Sequence, residues 1–221
     1  MKKIFLCTIL LPAFVANLFA QDPWKITASN IDPKNYYGVT VANGMIGIVS
    51  SPEAFKVKDV VLAGAYDLYG RGRVSNFLKS FNLLNMYMEI DGRRLSNADA
   101  SNMQQQLDMQ HASFTTSFNY KDLATVSYTY YALRQLPYSV LMDITVTAKK
   151  DLNLTSASQM DAPDALKEVQ NYYNEIDRPH TTISLLTSTA KSPTGKLLMC
   201  ASNAFIFTEV HGSEPRVIHE M

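Results

Sequence analysis

The chain has 221 residues, 47% hydrophobic and 18% charged, a balance that suits a packed globule with a sizeable core and excludes a disordered chain. Lys plus Arg and Asp plus Glu number 20 each, so the formal net charge is +0 and no basic excess marks a nucleic-acid partner. One large β-rich domain fits this length.

The first twenty residues read as a secretory signal peptide. Lys2 and Lys3 form a positive start, Ile4 through Val15 an apolar run, and Ala16-Asn17-Leu18-Phe19-Ala20 leads into the polar Gln21-Asp22-Pro23. Cleavage is expected after Ala20, which places the protein in the bacterial periplasm or outside the cell. The apolar run falls short of the roughly 20 residues a spanning helix needs, and Pro12 interrupts it. No membrane span is therefore expected after signal cleavage. Cys7 leaves with the signal and Cys200 stands alone, which excludes an internal disulfide.

Alternation of apolar and polar residues is the main signal that follows. Residues 39–42 and 45–49 flank Asn43-Gly44, two residues that tolerate positive φ, so a tight hairpin with a type I′ turn is expected. Met86, Met88 and Ile90 alternate with Tyr87 and Glu89, and Asp91-Gly92 then turns the chain toward Arg93-Arg94-Leu95. Phe114, Thr116, Phe118 and Tyr120 share one face of a strand. After a turn near Lys121-Asp122, Val126, Tyr128 and Tyr130 share a face of the next. Val140, Met142, Ile144 and Val146 alternate with Leu141, Asp143, Thr145 and Thr147. Leu166, Val169 and Tyr173 recur at helical spacing behind Pro163-Asp164, so a short helix is expected there, in a connection. Residues 182–187, 196–201 and 204–210 read as further strands. Past a turn at 210–215, Arg216-Val217-Ile218-His219-Glu220 resumes an extended pattern, as expected of a strand cut short. These elements predict an all-β fold, a large two-sheet antiparallel β-sandwich over residues 21–221.

Chemistry-bearing motifs are sparse. A G-x-S-x-G elbow, a phosphate-cradling glycine loop, C-x-x-C and H-E-x-x-H are all absent, so no cofactor and no metal are expected. No residue is assigned a catalytic role. Glu209 and His211 would share a strand face about 7 Å apart at their Cα atoms. A carboxylate beside an imidazole can do general acid–base work on a sugar, and the same pair also suits any solvated face. Glu53, Asp59, Asp67, Glu89, Asp91 and Asp108 are available for paired-acid glycoside hydrolysis, but their spacing selects no pair. Tyr66 joins Glu209 and His211 as a candidate sugar contact, because an exposed ring offers its π face to the C–H face of a pyranose. Core packing is the competing use of every such ring.

Several motifs occur in a telling order: Trp24-Lys25-Ile26, Asn43-Gly44-Met45-Ile46-Gly47, Ala63-Gly64-Ala65-Tyr66-Asp67, Asn82-Leu83-Leu84-Asn85, Ile90-Asp91-Gly92-Arg93 and Leu107-Asp108-Met109. This order resembles the N-terminal domain of glycoside hydrolase family 65, which includes maltose, trehalose and kojibiose phosphorylases and some trehalose hydrolases. The resemblance runs from Trp24 to at least Val146. It implies a β-sandwich similar to the galactose mutarotase-like fold, packed in full-length relatives against an (α/α)6 helical barrel that carries the catalytic glutamate. Two departures stand out. Asn35-Tyr36-Tyr37-Gly38 stands where the family often has an acidic residue ahead of the N-G turn, and Gln110 and Ala112 replace the usual arginine and glycine. The resemblance implies a carbohydrate partner, an α-linked glucoside, with the chain inactive by itself. Outside the cell hydrolysis is favoured over phosphorolysis, which draws on intracellular phosphate. The alternative is a stand-alone carbohydrate-binding or structural module of the envelope.

Overall fold

The computed structural model describes residues 22–70, 74–178, 181–206 and 216–220. In chain order the first strands are β1 (Lys25–Ala28), β2 (Thr40–Ala42), β3 (Ile46–Ser50), β4 (Val57–Leu68) and β5 (Ser75–Ser80). Next come β6 (Met86–Ile90), β7 (Arg93–Arg94), β8 (Ala100–Asp108), β9 (Ser113–Tyr120), β10 (Ala124–Ala132) and β11 (Val140–Ala148). The last are β12 (Leu154–Gln159), β13 (Lys167–Arg178), β14 (Thr181–Lys191), β15 (Leu198–Asn203) and β16 (Arg216–Glu220). Apart from these strands, the regular elements among the described residues are single 3-10 turns at Pro33–Asn35 and Asn97–Asp99. The all-β expectation holds. No helix among the described residues is long and apolar enough to cross a membrane.

Hydrogen bonds divide the strands into four ladders. One is a five-stranded sheet in the order β1-β8-β9-β10-β11, facing the four-stranded ladders β2-β3-β4-β5 and β16-β12-β6-β7. The fourth is the three-stranded β13-β14-β15. Pairing is antiparallel except between β12 and β16, which run parallel. The layer opposite the five-stranded sheet is thus composite, where the sequence predicted a single second sheet. Its seam is the Asn82-Leu83-Leu84-Asn85 stretch. Asn82 N donates to Asp161 O at 2.9 Å and Gln159 N to Asn85 O at 2.9 Å. The Asn85 side chain accepts from Val57 N at 2.8 Å and donates to the Asp161 carboxylate at 2.8 Å. Asn85 is buried, and a buried amide at a seam must find partners for both its polar atoms, as this one does.

Alternation fixes which residues meet between the layers. Met86, Met88 and Ile90 of β6 pack on Phe118, Tyr120, Val126 and Tyr128 of β9 and β10. Val41, Ile46, Ile48 and Val60 of β2–β4 meet Phe114 and Tyr130. Beyond the bulge between Val61 and Tyr66, the far half of the β4–β5 hairpin packs on the three-stranded ladder, Ala65 and Leu78 against Ala190, Met199 and Ala201. Each fully buried large side chain of this kind contributes about 1.5–3 kcal/mol relative to exposure. A polar tie also joins the layers. Tyr36 Oη bonds Ser50 Oγ at 2.6 Å and donates to Gln105 Oε1 at 2.7 Å, while Gln105 Nε2 donates to Ser51 O at 2.8 Å.

The expected short helix at 163–173 is not formed. A turn from Pro163 to Leu166 buries Leu166, and the chain then enters β13, which pairs with β14 as far as Arg178. The helical spacing of Leu166, Val169 and Tyr173 is broken by positive φ at Glu168 and a register shift between Lys167 and Gln170. Aromatic and β-branched residues beyond the shift favour the strand, whose backbone groups find partners in β14. The strand expected at 204–210 also fails over its described part, residues 204–206, since β15 already ends at Asn203.

Candidate functional site

Four of the acids that sequence left unassigned are occupied in holding the fold. Asp59 pairs with Lys79 at 2.6 Å. Asp91, in the β6–β7 turn, accepts from Asn153 N, just ahead of β12, at 2.9 Å. Asp108 caps the turn after β8, accepting from His111 N at 3.0 Å and meeting His111 Nδ1 at 2.9 Å. Those His111 bonds, the side-chain one foremost, hold the Asp108 carboxyl below its ordinary range. No cluster of three or more His, Cys, Asp or Glu suited to a metal occurs among the described residues. Glu209 and His211 lie outside the described residues.

Tyr66 is where an accessible ring is found. It sits on the outer face of β4, 45% exposed, directly opposite Phe77 of β5, which is 61% exposed. Their ring centroids are 4.5 Å apart with planes tilted by 38°, so each ring fixes the other. Alternation along β5 puts Lys79 on the same outward face as Phe77, with Leu78 and Ser80 buried behind. The Lys79–Asp59 ion pair therefore flanks the rings, and Leu68 extends the apolar strip toward the hairpin tip. Gly64, at φ +82°, lies between them, and a Cβ there would meet nothing within 4 Å. The face is open. Phe77 was not foreseen from sequence, because 75–80 carries only Phe77 and Leu78 as apolar residues, too few to read as a strand. The pairing with β4 is what makes it one.

The next residue along, Asp67, points the other way and is 4% exposed. Its carboxylate accepts from Thr194 N at 2.9 Å, from Thr194 Oγ1 at 2.6 and 2.7 Å, and from Leu68 N at 2.7 Å. The Ser192 hydroxyl, then Thr194, hold this carboxyl far below the usual carboxylate range. Asp67 thereby pins the far half of the hairpin to the β14–β15 turn. Because the folded carboxyl is the stronger acid, its stabilisation is fully present above the unfolded value of about 3.9 and declines as pH falls below it. Asp67→Asn should lower the melting temperature by several degrees at pH 7. The gap to the parent protein should narrow as thermal melts move below about pH 4. A gap that is constant with pH would show that the carboxylate charge is not what pins the turn.

Several other tyrosines divide by role. Tyr130 is in the core, stacked on Phe114 with centroids 5.4 Å apart, and Tyr36 is spent on the interlayer tie. Tyr172 and Tyr173 are exposed on β13, where their hydroxyls donate to Gln170 and Glu175 at 2.5 and 2.6 Å. A cleft of about 300 Å³ lies where three ladders meet, lined by Ile46, Leu62, Tyr138, Val140 and Cys200 among others. Cys200 is a free, exposed thiol.

Comparison with known proteins places this geometry. The sequence model described as glycosyl hydrolase family 65, N-terminal domain, matches residues 38–221. A kojibiose hydrolase of Mucilaginibacter mallensis is 65% identical over 221 residues, covering 100% of this chain and 33% of that relative. A kojibiose hydrolase of Flavobacterium johnsoniae is 48% identical over 204 residues, covering 92% of this chain and 30% of that relative. The chain thus spans about a third of the length of the curated relatives it matches. The ordered motifs, the stacked antiparallel ladders and the match over residues 38–221 agree: this chain belongs to glycosyl hydrolase family 65, and what it carries is the family's N-terminal domain.

Proposed function

We propose that this chain is the N-terminal, non-catalytic sandwich of an exported α-glucoside hydrolase of the kojibiose-hydrolase type. The observation that carries the proposal is 65% identity, along the whole chain, to a kojibiose hydrolase about three times as long. In this reading the acids of glycoside hydrolysis come from a helical barrel, while the sandwich shapes the cleft and holds the barrel in place. Four of the candidate acids support that division, since Asp59, Asp67, Asp91 and Asp108 each serve a structural bond. Export is supported by the Lys2-Lys3 start and the apolar run from Ile4 to Val15, which together suit secretion. Hydrolysis rather than phosphorolysis fits that compartment, where free phosphate is not supplied by metabolism.

The test is a chimera. This chain replaces the matching N-terminal third of the Mucilaginibacter mallensis kojibiose hydrolase, and kojibiose cleavage is followed by glucose release. The chimera is expected to keep activity within about tenfold of the parent, a change worth about 1.4 kcal/mol, and this chain alone to release no glucose. A folded but inactive chimera would overturn the proposal. So would turnover by the isolated chain that is abolished by changing one of its own acids.

A further inference from the structure

We propose that the outer face of the β4–β5 hairpin binds glucose oligosaccharides, with Tyr66 and Phe77 as the stacking surface and the Lys79–Asp59 pair as the hydroxyl-binding edge. This rests on the reading of the chain as part of an α-glucoside-acting protein.

Three features favour a sugar on this face. The first is shape: two rings opposite one another on a sheet present an open surface, and the bare Cα of Gly64 leaves room beside them. A pyranose offers a flat C–H face of that kind. The second is chemistry. Lys79 Nζ and the Asp59 carboxylate lie along the same outward face, the Lys79 side chain 58% and the Asp59 side chain 19% exposed. Sugar hydroxyls can replace the water on those charges with hydrogen bonds of similar strength. A protein domain seated there would instead strip water from the pair, a cost that buried ion pairs recover only with ideal geometry. The third is rigidity. A weak ligand cannot also order its site, and here the backbone behind Tyr66 is already held by the bonds from Asp67 to Thr194.

The 221-residue chain is titrated with kojibiose and with maltotriose, following binding by calorimetry and by NMR shifts. Saturable binding to at least one sugar is expected. Tyr66→Ala and Phe77→Ala should each weaken it by about tenfold or more, in line with the worth of an aromatic contact. Tyr66→Phe should retain it. Phe77→Leu, which keeps an apolar side chain but removes the ring, should behave like Phe77→Ala, and this separates stacking from folding. Absence of binding to both sugars, or binding unaffected by all three ring-removing variants, overturns the proposal. A third contrary outcome is that those variants leave binding alone but lower the activity of the chimera, which would make the face a contact with the catalytic domain. An active chimera without sugar binding sinks this site alone. Sugar binding with a folded, inactive chimera sinks the hydrolase reading instead.

Discussion

Phe55→Ala is expected to remove about 3–5 kcal/mol of folding stability, the range for losing a large aromatic from a packed core. Phe55 is 2% exposed and sits in the connection between β3 and β4. Its ring stacks on Tyr128 at 5.0 Å and meets Phe118 edge-on at 6.0 Å, so one side chain joins the composite layer to two strands of the five-stranded sheet. Its backbone contributes as well, because Phe55 N donates to the buried Tyr128 hydroxyl at 3.1 Å. Phe55 holds φ at +58°, a left-handed conformation that non-glycine residues adopt only when their surroundings enforce it. Alanine inherits that strain without the ring that offsets it. Urea unfolding should show a lower midpoint with an unchanged m-value. Phe55→Leu should lose less, and a loss below about 1 kcal/mol for alanine would mean the layers close over the gap.

Gly38→Ala should follow, at about 2 kcal/mol or more. Gly38 has φ +83°, and an added Cβ would stand 2.7 Å from Val49 Cγ1 and 2.8 Å from Ser50 O. The valine can rotate, but the carbonyl belongs to the backbone of β3. The same short segment places Tyr36 against Ser50 and Gln105, and Val39 N against Ser50 Oγ at 2.7 Å. Pushing β3 away at Gly38 therefore loosens the interlayer tie together with the local turn. Thermal melts of Gly38→Ala beside Gly44→Ala make the check. Gly44 also has positive φ but open space around it, so only the conformational cost applies there and its loss should be smaller.

How far the sequence reached depended on whether local chemistry or distant pairing decided each element. The β6–β7 hairpin was legible because Asp91 and Gly92 both take positive φ, at 50° and 73°, between the paired Ile90 and Arg93. The faces of β9, β10 and β11 were legible because strict alternation leaves one burial pattern open. At Asn43-Gly44 the hairpin was right and the turn was displaced. Only Gly44 takes positive φ, Asn43 N donates to Ile46 O, and the Asn43 side chain accepts from Met45 N and Ile46 N. The short helix failed because a bulge at Glu168 does not show in a hydrophobic pattern. Tyr66 was visible as a candidate, but its partner Phe77 sits in a strand with too few apolar residues to read, and its anchor Thr194 lies 127 residues beyond Asp67. No spacing rule reports those.

The anchor itself carries a consequence for how the domain is made. Tyr66 and Phe77 emerge early, yet the carboxylate that sets their strand is gripped by a hydroxyl 127 residues further along. Until that late turn arrives, the hairpin can pair with itself but has nothing to lean on, and short hairpins in water are barely stable alone. The early part of the nascent chain thus stays pliant, and its final shape is set only once the β14–β15 turn has been delivered.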